Sequence, residues 1–460
     1  MVKKDLIVIG GGPAGYAGAV RAAQLGAKVM LLESAELGGI CLHRGCIPTK
    51  VFLQVTEVLE TARKSKRFGV TTGEATLDFN KMINYKDQVI RTIVSGLHGL
   101  MKNNAIEVVK GVGRLKSKNE LKVTANNGIS SFSTDRIILA TGSSRALPPI
   151  PGVDGAGVIT TDGIFKLQNK PESMAIIGAG PCGVELANIF AVLGTKVYLV
   201  EMLPHIVPTE DREVADALER CLKKSGIKTY TGTALEKIED GENGNKKLTL
   251  IHNAGATNAE VQMVVISTGS RPNTQDLGLE DAGVKVERGA ILADAKMQTS
   301  VPGIWAAGDV AGGIMLAHVA SREAEVAAEN ALGMESKVDY SAVPACIYTM
   351  PEIGSAGLSE SAAIEKGYDI KIGRSYFAAN SKALIQGERN GFVKIVAESG
   401  SGEILGIHIF GAHATELVSE AAVCIAKSIT IRDLSDIIHA HPTLHEAIRE
   451  AAVSIDYGNH

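Results

Sequence analysis

Two thiols, Cys41 and Cys46, stand five residues apart in the segment GGICLHRGCIPTK, among glycines and just ahead of Pro48. On an ideal α-helix residues five apart rise about 7.5 Å and sit on different faces, beyond the roughly 7 Å Cα separation that a disulfide tolerates. A bridge between them needs a distorted turn. Gly38, Gly39 and Gly45 make such a turn accessible, and Pro48 suits the first turn of a following helix but not its interior. A strained, accessible disulfide is an easily reduced one, so the pair reads as an electron-exchanging centre.

The elements that must position this pair are announced by an internal repeat. Gly10, Gly12 and Gly15 follow the apolar run from Leu6 to Ile9, and Gly178, Gly180 and Gly183 follow the apolar run from Ala175 to Ile177, at a constant offset of 168 residues. The offset persists through Pro13 and Pro181, through Gly26 and Gly194, and ends at Glu33 and Glu201. Each copy predicts a buried strand, a glycine turn, a helix and a second strand ending in a carboxylate, which is a duplicated βαβ unit. Glycines let backbone approach a pyrophosphate, the helix N-terminus offers unpaired N–H groups, and the acid bonds ribose hydroxyls. Two dinucleotide sites follow. Both acids argue against a ribose 2′-phosphate, and Glu201-Met202-Leu203-Pro204-His205 offers no arginine to receive one, so NAD is favoured over NADP at the second site.

Composition bounds the rest. The chain has 460 residues, 45% hydrophobic and 21% charged, with a formal net charge of −4, which fits a multidomain globular protein and gives no footprint for nucleic acid. Six scattered cysteines point to a reducing, cytoplasmic compartment. Four of them, Cys182, Cys221, Cys346 and Cys424, are expected to be inert. The start superficially resembles a secretory leader, but Asp5 interrupts it, and no run of 18 or more apolar residues occurs elsewhere to span a membrane.

Further along, Ile137 to Ala140 runs into Thr141-Gly142-Ser143, and Val264 to Ser267 runs into Thr268-Gly269-Ser270, turns that let a chain leave a domain. Ile304 to Asp309 reads as an apolar strand ending in an acid near a ligand, followed by a helix to about Asn330. From about Tyr340, alternation at Gly391 to Val396 and Ile404 to Phe410 predicts an antiparallel sheet with helices. Near the C-terminus lies His439-Ala440-His441-Pro442-Thr443-Leu444-His445-Glu446.

Taken together, the two fingerprints, GGICLHRGCIPTK, the Asp309 segment and HAHPTLHE resemble the flavoprotein disulfide reductase family along nearly the whole chain, and within it most closely the members that oxidise dihydrolipoamide. The resemblance implies an α/β fold with two Rossmann-like FAD- and NAD-binding domains plus a C-terminal α+β dimerisation domain. Its expected limits are 1–146 for the FAD-binding domain, 147–271 for the NAD-binding domain, 272–340 for a central domain completing the FAD site, and 341–460 for the interface domain of a homodimer. It makes Gly10, Gly12, Gly15 and Glu33 the FAD pyrophosphate and ribose site. Asp309 would hold the ribityl chain, with Met315, Ala317 and His318 beneath the ring and Thr141 and Gly142 beside the cofactor. Gly178, Gly180, Gly183, Glu201 and Gly269 would bind NAD, and Lys50 and Glu185 would be an ion pair next to the flavin's reactive nitrogen.

Catalysis by such a centre needs a base, because the thiolate is the nucleophile and an ordinary thiol is largely protonated at neutral pH. By resemblance the base is His441, oriented by Glu446 and delivered from the partner subunit, with Cys41 the attacked sulfur and Cys46 the one facing the flavin. The implied activity passes electrons from a protein-bound dihydrolipoyl group through the Cys41–Cys46 disulfide and FAD to NAD, in a 2-oxo-acid dehydrogenase or glycine cleavage complex. A partner protein is expected to bring the lipoyl group.

Two other functions fit parts of the pattern. A glutathione- or mercury-type reductase shares the scaffold, but Glu201 disfavours NADP and the chain ends without a cysteine pair. A docking flavoprotein of low turnover is the reading from another class. No metal site is expected, although His439, His441, His445 and His460 could together hold an adventitious ion. Two departures from the family stand out: Pro181-Cys182 where relatives carry bulky apolar residues, and His43-Arg44 inside the cysteine motif, which are expected to favour the Cys41 thiolate if they lie close.

Overall fold

A computed structural model describes residues 2–125, 128–253 and 255–456. Both copies of the repeat fold as the sequence predicts. Leu6–Ile9 and Val29–Glu33 pair in parallel, with the helix Pro13–Gln24 between them; Ser173–Ile177 and Lys196–Val200 do the same around Pro181–Val192. Each pair sits inside a five-stranded parallel sheet, and the strands are near-continuous runs of buried apolar residues because helices or further strands cover both faces. The glycines are enforced by contact. A Cβ at Gly15 would lie 1.7 Å from Gly10 O, and one at Gly183 would lie 2.0 Å from Gly178 O, so helix and loop close together only without side chains.

The first sheet runs in the order Ile304–Ala306, Ile137–Leu139, Leu6–Ile9, Val29–Glu33, Glu107–Lys110. Its edge strand comes from the 272–340 segment. That segment builds no core of its own: the helix Ala317–Ala331 lies against Pro13–Gln24 so closely that a Cβ at Gly18 would sit 3.1 Å from Ala324 Cβ, and its buried residues join those of the first unit. The second sheet has Val158–Thr160, Met263–Ile266, Ser173–Ile177, Lys196–Val200 and Lys228–Tyr230, with a three-stranded antiparallel sheet beside it.

The C-terminal unit is the expected antiparallel sheet, ordered Pro344–Ile347, Glu352–Gly357, Ile404–Gly411, Phe392–Glu398, Ile370–Tyr376, with the helices Ala414–Ala426 and Glu446–Asp456 packed on it. It is tied to the second unit by buried charge. Lys394, 2% exposed, reaches Asp211 at 2.9 Å and Glu360 at 2.7 Å, and Arg374 pairs with Glu213 at 2.9 Å. Breaking such a buried pair costs about 3–5 kcal/mol, so the second unit and the C-terminal unit are held in fixed relation. No helix among the described residues is long and apolar enough to cross a membrane.

Candidate active site

The two cysteines lie on separate helices. Gly39–Arg44 carries Cys41, Cys46–Lys64 carries Cys46, and between them Gly45 adopts φ −144°, ψ −109°, which breaks the helical path and supplies the distorted turn that the spacing demands. Gly38 enters the first helix at φ +107°, and a Cβ on Gly39 would sit 2.8 Å from Gly12 Cα, so the redox loop is pressed onto the first glycine turn. The thiols are unbridged here and share a hydrogen bond. That bond sets their acidities apart: donation from Cys41 brings Cys46 down to about 7 against the pull of burial, with the Lys50 ammonium helping. The same bond, reinforced by burial, pushes Cys41 far up. Cys46 is therefore the thiolate of the pair and Cys41 the proton holder.

Lys50 follows Cys46 by one helical turn, on the same face. Its Nζ lies 2.9 and 2.8 Å from the two oxygens of Glu185, a residue of the second unit whose side chain is only 4% exposed. Burial disfavours the Lys50 charge, but the Glu185 carboxylate outweighs it and holds the ammonium above its ordinary range. Tyr348 completes the group: its ring lies 4.3 Å from Lys50 Nζ and its N–H donates to Glu185 Oε1 at 2.9 Å. Tyr16, from the first fingerprint helix, also stands in the electrostatic field of both cysteines, with burial raising its hydroxyl pKa.

His43 and Arg44 do not act as expected. His43 Nε2 turns back to Leu37 O at 2.8 Å, and Arg44 reaches Asp162 at 3.8 Å. Lys50 is the cation whose charge lowers Cys41 against the other influences. The remaining thiols are all pushed up by burial, Cys346 and Cys424 to about 11, and Cys182 and Cys221 in the same direction.

The nucleotide carboxylates repeat to the atom. Glu33 accepts from Gly11 N at 2.6 Å and Ala35 N at 2.7 Å; Glu201 accepts from Ala179 N at 2.8 Å and Leu203 N at 2.9 Å, the same positions one repeat later. In both copies the helix starts at a glycine, Gly12 or Gly180, with no side chain capping it and proline at the first helical position, so its N–H groups are free for an anion. Gly180 has nothing within 4 Å of its Cβ position. It faces a cavity of about 520 Å³ lined by Gly178, Pro181, Cys182, Glu201, Gly269 and Arg145. These residues fit a dinucleotide.

The Asp309 segment meets the first unit through a short chain of contacts. Ser143 donates to Asp309 Oδ2 at 2.6 Å, Thr141 Oγ1 donates to Asn273 O at 2.8 Å, and Asn273 N donates to Gly142 O at 2.9 Å, so the turn at 141–143 and Asp309 share one place. Glu323 accepts from Gly308 N at 2.7 Å and fixes the turn from the helix behind. Ala317 begins that helix, Met315 is exposed, and His318 Nε2 lies 2.9 Å from Pro344 O. The uncapped helix, the glycine turn, the Lys50 ammonium and the Asp309 carboxylate are groups that fit a flavin dinucleotide in the first unit.

His441 is not brought to the cysteines. Its Nδ1 lies 2.9 Å from Glu446 Oε1, its side chain is 69% exposed, and among the described residues it makes no hydrogen bond or ion pair with the redox loop. Glu446 also accepts from Thr443 N at 2.8 Å, and that bond, then His441, holds its carboxyl below the usual range. No group of three or more His, Cys, Asp or Glu among the described residues is arranged for a metal, and His460 lies outside them. Sequence reasoning assigned no role to Tyr16, Arg145, Ser143, Glu323, Tyr348 or Glu420, although Tyr16 lies in the first fingerprint and Ser143 in the turn after Ala140; only the fold shows what they touch.

With two nucleotide units, a dithiol between them and a separate C-terminal sheet domain, the molecule is a two-site redox protein. Residues 4–324 match the pyridine nucleotide-disulphide oxidoreductase family and residues 343–452 match its dimerisation domain, and the chain belongs to that family. It is similar to the dihydrolipoyl dehydrogenase of Bacillus subtilis, 38% identical with 98% of each chain covered, and to that of Thermus scotoductus, 39% identical over 98% of this chain and 97% of the relative. Among solved structures it is similar to LpdA of Mycobacterium tuberculosis (TM-score 0.91, 26% identity, 98% and 99% covered). The Cu(II) complex of the HOCl-induced flavoprotein disulfide reductase RclA of Escherichia coli is also similar (TM-score 0.88, 26% identity, 99% and 100% covered).

Proposed function

We propose that the chain is a dihydrolipoamide:NAD oxidoreductase acting as a homodimer, with Cys41 and Cys46 as its redox pair. The observation that carries this reading is the placement of Cys41 and Cys46 on two helices that meet at Gly45, beside the Lys50–Glu185 pair and between two nucleotide units. The reading adopts the domain limits 1–146, 147–271, 272–340 and 341–460.

In the oxidised enzyme Cys41 and Cys46 are joined. His441 from a second copy takes the proton of a dihydrolipoyl thiol at Nε2, because Nδ1 is held by Glu446. The thiolate attacks Cys41 Sγ, the S–S bond breaks, and its electron pair leaves on Cys46 Sγ, where Lys50 and the Cys41 hydrogen bond stabilise it. The second lipoyl thiol attacks the lipoyl sulfur of the mixed disulfide and closes the lipoyl disulfide; the bond to Cys41 breaks, and Cys41 leaves as a thiolate that takes the second thiol's proton while the first stays on His441. FAD, when bound, supplies a two-electron acceptor able to pass a hydride to nicotinamide. Glu33 and Gly12 would hold it at one end, Asp309 along the chain and Lys50 at the ring; Glu201, Gly180 and Gly269 would hold NAD. The substrate is the lipoyl group of a partner protein of a 2-oxo-acid dehydrogenase or glycine cleavage complex. Cysteine usage supports a cytoplasmic setting.

Anaerobic titration of the yellow holoenzyme with dihydrolipoamide, followed by NAD, tests this. Two electrons per subunit should be taken up and NADH released, and Cys41→Ser should bring NADH formation to background. Unimpaired turnover in Cys41→Ser would refute the disulfide route.

A further inference from the structure

The loop that carries His441 is held by a second carboxylate and histidine arrangement that the chemistry above does not use. Glu420, on the helix Ala414–Ala426, faces two rings at once: His439 Nε2 lies 2.7 Å from Oε1 and His445 Nδ1 lies 2.6 Å from Oε2. These histidines bracket His441, two residues before it and four after. His439 Nδ1 also lies 3.1 Å from Ile437 O, so both its ring nitrogens face oxygen atoms. Its side chain is 7% exposed, whereas the neighbouring Ile438 is 96% exposed and the His441 side chain 69%. His439 thus points inward between outward residues, while His445, its side chain 45% exposed, meets Glu420 nearer the surface. Asn380 Nδ2 donates to Thr443 O at 3.0 Å, and Glu446 receives Thr443 N, but these ties lie on one side of His441 only. Thr443 Oγ1 donates across His441 to Ala440 O at 2.8 Å within the loop, and among the described residues Glu420 is the group outside the loop that reaches both sides.

We propose that Glu420 is a positioning residue for proton transfer at His441: with His439 and His445 it forms a clasp that fixes the loop so that His441 projects toward the second copy. The inference rests on His441 being the base. Glu420 touches neither substrate nor cofactor and acts through the loop. Charge-assisted bonds are the strong ones, and a base displaced by about 1 Å loses roughly a hundredfold in rate, so two such bonds are a sufficient device.

Glu420→Gln tests it in the holoenzyme. Glutamine keeps the size but has one oxygen acceptor, so one of the two rings loses its partner. The expected result is a fall of about tenfold or more in kcat for dihydrolipoamide oxidation, with KM for NAD, dimer mass and the rate at which NADH reduces the bound flavin unchanged, since that half-reaction does not need His441. His445→Asn should lower kcat likewise, and the double variant should lose less than the product of the two, because both break one clasp. The proposal is overturned if both single variants keep kcat within about twofold, or if NADH-driven flavin reduction falls in step with kcat, which would mark a general structural defect. A wild-type enzyme that accepts electrons from NADH but none from dihydrolipoamide would remove the underlying reading instead, and the clasp with it.

Discussion

In the first nucleotide unit the chain that leaves Glu33 folds straight back over the glycine turn: Gly38 N donates to Gly11 O at 2.8 Å and Gly39 Cα lies 3.8 Å from the Cβ position of Gly12. In the second, the chain that leaves Glu201 makes the matching bond, Val207 N to Ala179 O at 2.8 Å, but then runs aside, leaving Met202 73% exposed and Gly180 facing open space. The backbones and carboxylate bonds are the same; what stands over them differs. A ligand in the first unit is roofed by the redox loop and by the Asp309 turn, while one in the second lies in a cavity of about 520 Å³ that opens outward. The comparison teaches how one duplicated fold serves two tasks: a dinucleotide that stays and a dinucleotide that comes and goes.

The sharpest way to break the symmetry is to add a methyl group to each copy. Gly15→Ala forces Cβ to within 1.7 Å of Gly10 O, and Gly183→Ala to within 2.0 Å of Gly178 O. Overpacking of this kind costs about 1–3 kcal/mol and more where backbone is the obstacle. Gly15→Ala should yield colourless, poorly folded protein by absorbance and thermal melting. Gly183→Ala should keep its flavin and its reduction by dihydrolipoamide, and lose NAD binding by calorimetry. Equal flavin retention in both would erase the distinction between them.

Next come the carboxylates. Hydrogen bonds to a charged group contribute about 1.5–3 kcal/mol, and Glu33 and Glu201 each make two to backbone N–H groups. Glu201→Gln should raise KM for NAD by about tenfold or more and leave flavin content alone, whereas Glu33→Gln should lower flavin content measured per subunit. A rise in KM for NAD from Glu33→Gln with full flavin occupancy would reverse the assignment.

Much of this comparison was legible in the sequence. The glycines are unavoidable where backbone meets backbone, so their spacing betrays strand, loop and helix, and Glu33 and Glu201 mark the strand ends. The antiparallel C-terminal sheet announced itself through alternation at Ile404 to Phe410. What stayed hidden depends on distant pairing. Ile304–Ala306 joins the first sheet beside Ile137–Leu139, a neighbour that no local pattern specifies, so the core that 272–340 shares with the first unit could not be read from the chain. Ser143 meets Asp309, Tyr348 meets Glu185 and Glu420 meets two histidines only because folded elements bring them together. The direction of His43 and Arg44 was equally out of reach, being set by where a six-residue helix lies rather than by its sequence.

The redox pair offers a finer probe of the same roofed site. The acidity of Cys46, brought to about 7, rests first on the hydrogen bond from Cys41. In the reduced protein, alkylation of Cys46 by iodoacetamide should accelerate with a midpoint near pH 7, the thiolate being present above it and lost as pH falls through it. Cys41→Ala removes the donor, so the midpoint should move upward toward that of an ordinary thiol, about 8.5. A midpoint unmoved by Cys41→Ala would mean that Lys50 alone sets the acidity.

The smallest effect separates near in sequence from near in space. Arg44 is 52% exposed and lies 3.8 Å from Asp162, while His43 Nε2 is engaged with Leu37 O, so both side chains have partners other than Cys41 although they are within three residues of it. Exposed pairs of this kind contribute about 0–1 kcal/mol. Arg44→Met and His43→Gln should therefore leave the alkylation midpoint where it is, to within about 0.2 pH, and leave the melting temperature nearly unchanged. A downward step in thiol reactivity from either substitution would show that the loop turns these side chains toward the sulfurs in solution, and that the cation field over the cysteines reaches beyond Lys50.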